Sequence, residues 1–304
     1  MHFSESEVLH GRRSLKEKLV NVAYHNTGRQ NLTLGRRIDT LKIGRFGLIF
    51  FWCMITSLTF CIPCIVLPKL YPHPPDYWIR VCIFFFVLME GITNWILLRR
   101  HESQWKPCQP RASEVPQLGW NYCIICEQNA PPRSHHCKVC QICILKRDHH
   151  CFFANVCVGF FNRRYYIVCV FYILLTNAYA IYLISAYLYS YINIFSGEFV
   201  AFIPVIQFVL VAIGSLPITQ IYLIWQVYLC LSSLCMAVVL FSVGMFISLI
   251  GSTEREMSKS ISDYIQVGTL ISRIRTVFGP YWIVNFIIPL TTSPVGDGIH
   301  WKSR

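Results

Sequence analysis

The sequence predicts an α-helical multi-pass membrane protein, with four transmembrane helices and a fifth possible, that carries a cytosolic cysteine-rich domain. Three observations predict it. The chain is 54% apolar over 304 residues, with runs of twenty or more mostly apolar residues, each long enough to cross a bilayer. Its Lys and Arg alternate in density: nine in residues 1–45, one in 68–76, ten in 99–164, none in 190–220 and six in 251–304. That alternation is the charge asymmetry of a membrane protein, basic on the cytosolic side. Finally, seven of fifteen cysteines and four of ten histidines fall between Cys123 and Cys157. A net charge of +12 could suggest nucleic acid, but no soluble segment is large enough to gather it into one patch, so nucleic acid is excluded as a partner. Basic cytosolic faces suit anionic membrane lipids instead.

In order, residues 1–45 read as a basic cytosolic tail, with Arg12, Arg13, Arg36 and Arg37 as paired charges and no apolar run that would make a signal peptide. Residues 46–98 hold the first two helices. Phe46–Leu67 spans about 33 Å at 1.5 Å per residue, and Pro63 lies near its far end. Tyr77–Leu98 returns, with Glu90 inside it and Asn94 one turn later as a possible partner. Residues 99–164 form the cytosolic cysteine-rich domain, expected to be turns and short strands with little core.

Residues 165–250 hold the remaining spans. Tyr165–Ile194 is the third helix, with Asn177 placed to bond across helices. Ser196–Glu198 reads as a turn. Pro217 and Gln220 break the apolar stretch 199–250. A single span from Tyr222 to Ile250 keeps the basic residues 251–304 cytosolic, and 199–216 is then re-entrant or interfacial. Two spans in that stretch would give the five-helix alternative. Residues 251–304 are a cytosolic tail in which Tyr281–Leu290, ten residues, is too short to cross and docks on the membrane or the spans.

The stretch Cys123–Cys157 reads CIICEQNAPPRSHHCKVCQICILKRDHHCFFANVC. Thiols three residues apart on a tight turn reach one tetrahedral zinc, with Zn–S bonds of about 2.3 Å. Charge places the stretch on the reducing side, where thiols persist. Two zinc sites need eight ligands, and eleven candidates are present: the seven cysteines with His135, His136, His149 and His150. Spacing alone leaves open which three are spare. Spare thiols and imidazoles side by side are the material of a nucleophile and its base.

The order C-x2-C-x9-H-C-x2-C-x2-C-x4-D-H-H-C-x5-C, followed by Val158–Asn162, resembles the cysteine-rich domain of the DHHC family of protein S-acyltransferases (palmitoyltransferases). The resemblance implies two structural zinc ions in interleaved closed shells. Cys123, Cys126, His136 and Cys143 would hold one. Cys137, Cys140, His150 and Cys157 would hold the other. Cys151 is then the free nucleophile, with His149 as its base and Asp148 orienting the imidazole. The resemblance further implies palmitoyl-CoA or another long-chain acyl-CoA as co-substrate. The acceptors would be cytosolic or membrane proteins with a membrane-proximal cysteine, at the cytosolic face of the Golgi or endoplasmic reticulum. An acyl-Cys151 thioester would link the two steps. The tail residues Thr253 and Glu256 match the family's T-T-x-E, with Glu254 in place of the second threonine. Arg273 stands at the usual Asn before Val277–Gly279, and Phe152-Phe153 replace Pro-Trp after the DHHC run. The ending Ser293–Gly298 resembles one branch of the family.

Arg133, Lys138, Lys146, Arg147, Arg163 and Arg164 are the basic residues placed to meet the CoA phosphates. Two rival readings are a membrane-anchored zinc-binding interaction module, which needs no Asp148–His149–Cys151 set, and a catalytically weak acyl-CoA-binding member of the family.

Overall fold

The computed structural model describes residues 42–106, 119–191, 202–258, 268–291 and 293–301. The expectations for residues 1–41 and the turn at 196–198 fall outside them. Among the described residues, four helices are long and apolar enough to cross a membrane: α1 (Lys42–Leu70), α2 (Pro74–Arg100), α3 (Arg163–Tyr189) and α5 (Ile218–Ile250). Each expected span is present; α1, α2 and α5 are extended by a few residues, whereas α3 starts two residues early and ends at Tyr189, before the expected Ile194, which lies outside the described residues. The fold is that of a four-helix integral membrane protein. Between Pro204 and Ala212 there is only the nine-residue helix α4, too short to cross. Pro217 then caps α5 at its start.

Proline shapes α1 in a way the pattern did not disclose. Pro63 has no N–H to give, and the turn around it opens into a π-helix over Ile62–Val66. The Tyr77 hydroxyl of α2 donates to the Pro63 carbonyl at 3.2 Å, which ties the two helices there. Asn94 differs from expectation: its side-chain amide donates to the main-chain carbonyl of Glu90 at 2.9 Å, not to the carboxyl.

Helix α3 is the most buried of the four and packs against both α2 and α5. Asn177 does bond across helices, its Nδ2 donating to Ser233 Oγ of α5 at 3.2 Å. Apolar residues gather in two clusters. One lies around Phe84, Leu183, Ile184, Leu223 and Ile224, toward the side away from the cysteine-rich domain. The second joins Trp95, Leu98, Tyr165 and Ile167 to Cys151 and Val158 of that domain and to Phe278 of the tail.

Among its described residues, the cysteine-rich domain holds three antiparallel hairpins in sequence: β1–β2 (Asn121–Cys123, Gln128–Ala130), β3–β4 (His135–Cys137, Ile142–Ile144) and β5–β6 (His150–Cys151, Val156–Cys157). Its own apolar cluster is small, centred on Cys137, Ile144 and Cys157. Beyond α5, Gly251 adopts the left-handed conformation (φ 79°) that ends the helix and turns the chain back. The short helix α6 (Glu254–Ser258) then lies under the hairpins. Helix α7 (Leu270–Phe278) starts on Thr269, whose hydroxyl caps Ser272 N–H, and buries Phe278 completely. The segment after it does not cross. Tyr172 of α3 donates its hydroxyl to the Phe286 carbonyl, and Tyr165 donates to that of Leu290 at 3.2 Å.

Candidate active site and metal centres

Hairpin register brings the metal-binding residue types together. His136 pairs with Cys143 across β3–β4, and His150 with Cys157 across β5–β6. Each pair faces the turn of the preceding hairpin. The result is two clusters, Cys123–Cys126–His136–Cys143 and Cys137–Cys140–His150–Cys157, each with ligand atoms all within 4.8 Å of one another. Tetrahedral zinc with bonds of about 2.3 Å to sulfur spaces its sulfurs by about 3.8 Å. The pairs Cys126–Cys143 (3.8 Å) and Cys140–Cys157 (3.6 Å) have that spacing. In both clusters the imidazole presents Nδ1, at 3.2 Å from Cys126 and 3.3 Å from Cys140. These residues fit a metal ion of the zinc type. His135 points into neither cluster.

The three hairpins also repeat with a period the sequence reading missed. Cys123, Cys137 and Cys151 each end a first strand, 14 residues apart. A left-handed residue closes each turn: Glu127, Gln141 and Asn155, again 14 apart. Three residues after the cysteines stand Cys126, Cys140 and then Ala154. Cys151 thus occupies a ligand position whose partner thiol is absent. The equal offsets were legible and point to the odd cysteine without any family knowledge.

The third turn is fixed to the membrane helices. Trp95 Nε1 donates to the Phe153 carbonyl (3.3 Å) and Arg99 Nη1 to that of Ala154 (2.8 Å), both from α2. Gly47 of α1 lies so close that a Cβ there would meet the Phe152 carbonyl at 3.1 Å. Cys151, 7% exposed, therefore sits where the domain meets the spans. It lines a cavity of about 330 Å³ whose other walls come from all four long helices, including Leu88, Trp95, Tyr166, Ile173 and Met236. Phe153 also lines this cavity, so an aromatic is kept next to the thiol, while Phe152 does not line it and lies edge-on to the His150 ring.

His149 lies edge-on to Tyr166, with ring centroids 4.9 Å apart. Burial alone would lower the pKa of its imidazole. The Asp148 carboxylate and the Cys151 sulfur beside it outweigh burial and raise the pKa to about 9. Asp148 Oδ2 is 3.5 Å from His149 Nδ1 and 3.9 Å from Arg163 Nε. Burial would raise the Asp148 carboxyl; the Arg163 charge dominates and holds it well below the usual carboxylate range. Glu254 donates its peptide N–H to Asp148 Oδ1 at 2.5 Å.

Four of the six cations expected to meet a phosphate are buried instead. Arg133 grips Glu256, Arg163 donates to the Ser252 carbonyl at 2.7 Å, and Lys146 and Arg164 are each 3% exposed. Lys146 and Arg133 both face the Trp301 ring, at 4.9 and 4.6 Å from its centroid. Of the six, Lys138 is exposed and Arg147 half-buried. One residue was undervalued by the sequence reading. Asn162, 1% exposed, accepts from Gly159 N–H (2.8 Å) and donates to the carbonyls of Leu98 (3.1 Å) and Cys157 (2.9 Å). It pins the end of α2, the second cluster and the start of α3 to one another.

Comparison with known proteins gives the family. The family model described as "DHHC palmitoyltransferase" matches residues 117–261. A mouse relative named "Probable palmitoyltransferase ZDHHC24" is 31% identical over 240 residues, 76% of this chain and 83% of the relative. The chain belongs to the DHHC palmitoyltransferase family. Relatives of the same name from zebrafish (33% identical over 189 residues) and rat (31% over 188) are similar over 60% and 61% of this chain. The chain spans 62% and 65% of their respective lengths. All three names agree with the family branch that the ending Ser293–Gly298 resembles.

Proposed function

We propose that the protein is a protein S-acyltransferase that moves a palmitoyl or similar long-chain acyl group from acyl-CoA to cysteines of other proteins. One observation carries this reading: the Cys151 side chain lies against His149 and also lines the apolar cavity among the helices. A metal-binding interaction module needs neither feature.

Two steps account for the arrangement. With its Nδ1 turned to a carboxylate, His149 takes the Cys151 thiol proton on the other nitrogen. The thiolate attacks the acyl-CoA carbonyl, a thioester forms on Cys151, and the CoA thiolate leaves with a proton. The thiolate of a target cysteine then attacks the acyl-Cys151 carbonyl. Its thioester forms as the Cys151–acyl bond breaks, and Cys151 regains a proton. The acyl chain lies in the cavity, where each buried methylene is worth about 0.8 kcal/mol. Zinc in the two clusters would be structural, since four protein ligands close each shell and leave no open position.

Because Cys151 lies where the domain meets the spans, acceptors are proteins with a cysteine close to the membrane. We place the site on the cytosolic face, on the basis of the Lys/Arg asymmetry, and the protein in the Golgi or endoplasmic reticulum, by family likeness. Incubating the detergent-purified protein with labelled palmitoyl-CoA tests the function. Hydroxylamine-labile label on Cys151 is expected, and it should pass to an acceptor protein. Bound but unattached lipid would instead favour a catalytically weak acyl-CoA-binding protein.

A further inference from the structure

We infer that Glu254 is a second positioning residue for His149, sharing the Nδ1 side of its imidazole with Asp148. The inference rests on the acyl-transfer reading above. Glu254 Oε2 lies 3.3 Å from His149 Nδ1, and Asp148 Oδ2 lies 3.5 Å from the same atom. The nitrogen sits between two carboxylate oxygens and closes an aligned hydrogen bond on neither, so both act on it through charge. Ligand atoms of Asp148, His149 and Glu254 all fall within 4.8 Å of one another.

The platform under Glu254 is rigid. Its peptide N–H holds Asp148 Oδ1 at 2.5 Å, so one residue fixes Asp148 with its backbone and offers His149 its side chain. On one side of it, the Thr253 hydroxyl caps Glu256 N–H at 3.2 Å. On the other, Glu256 is clamped by Arg133. The two carboxylates also differ in their surroundings. The Asp148 side chain is 5% exposed and faces Arg163, while that of Glu254 is 58% exposed and faces His149. A ring held by acceptors on its Nδ1 side presents Nε2 to the thiol and resists rotation. With a second acceptor, that orientation survives a momentary loss of the first. A threonine at 254, as in the family's pattern, could make the same backbone contact but could not supply the second carboxylate.

A rival account is plain: an acidic residue at the first position of a helix is favoured by the helix dipole alone. The two accounts part on the thiol. Full-length protein in detergent is compared as wild type, Glu254→Gln, Glu254→Asp, Glu254→Thr, Asp148→Asn and the Asp148→Asn/Glu254→Gln double variant. Two rates are measured on Cys151: single-turnover acylation by palmitoyl-CoA, and alkylation by iodoacetamide followed by mass spectrometry of the Cys151 peptide. Glu254→Gln and Glu254→Thr should slow both by about 3- to 10-fold, less than the 10²–10⁴-fold of a lost general base. Zinc content and thermal midpoint should hold, and Glu254→Asp should restore part of the rate. The double variant should lose more than the product of the single losses, because either carboxylate can hold the ring alone. Wild-type rates for Glu254→Gln and Glu254→Thr in both assays would overturn the inference, as would a double variant no slower than Asp148→Asn. If wild-type protein takes no acyl group on Cys151, the transferase reading fails, while the alkylation rates still decide the part played by Glu254.

Discussion

Arg133 and Glu256 lie 123 residues apart in the chain and close a two-armed ion pair inside the protein, with Nε–Oε1 and Nη2–Oε2 both at 2.7 Å. Arg133 also donates to the Gly251 carbonyl at 2.8 Å, so the pair fastens the hairpins to the turn after α5. Arg133→Met strands a buried carboxylate and should cost about 3–5 kcal/mol, whereas Arg133→Met with Glu256→Leu should recover most of it. Thermal midpoints in detergent compare the two. Burial would raise the Glu256 carboxyl, but the Arg133 bonds outweigh it and hold its pKa below the ordinary value. The pair's stabilisation is therefore present above the ordinary glutamate pKa and is lost as pH falls through the lowered one.

Two metal ions per chain should be found by elemental analysis. The clusters are linked in series, since β3–β4 gives its turn to one and its facing strands to the other. Loss of Cys137 should disturb the hairpin that carries Cys151 and abolish acylation. Loss of Cys123 should unfasten β1–β2 first, with one metal retained. Equal loss of both metals in the two variants would argue against the serial arrangement.

The neighbouring histidines should part company. Cys151→Ser should end acylation with metal content intact. His149→Ala should slow acyl-Cys151 formation by about 10²–10⁴-fold, again with metal kept. His150→Ala should lower metal content and protein yield together. Metal loss in His149→Ala, with none in His150→Ala, would reverse their roles.

Chain length should be set at the cavity's deep end, where Asn177 Nδ2 meets Ser233 Oγ at 3.2 Å and both residues line the wall. Asn177 lies about 21 Å along α3 from Arg163, at 1.5 Å per residue. Ser233→Phe fills this end and should shift preference to shorter acyl-CoA. Each excluded methylene is worth about 0.8 kcal/mol, or about fourfold in binding. Competition among acyl-CoA lengths reads the shift; an unchanged preference would place the chain elsewhere.

Sidedness follows from the basic segments. A glycosylation acceptor inserted after Gly251 should stay unmodified in cells, and its modification would favour the five-span arrangement.

Spans and ligand spacings were legible because both are short-range patterns: a run of apolar residues, or thiols three apart. What was not legible depends on distant partners. Nothing near Arg133 in the chain announces Glu256, so its charge looked free for a phosphate when it is buried. Glu254 looked like a lapse from a family pattern until folding set it beside His149. Asn162 stood only as the end of the family-like stretch Val158–Asn162, though its side chain satisfies three separate backbone groups.

The 14-residue period bears on how the thiol at 151 stays available. A turn of this shape offers sulfur to a metal twice within the domain, and each time a second sulfur waits three residues on. At the third turn Ala154 withholds it, in a spot only 1% exposed that no side chain from elsewhere can readily enter. A soft cation reaching Cys151 therefore finds no second sulfur three residues on. One hydrogen atom where a thiol would be separates a reusable nucleophile from a third, permanently occupied seat.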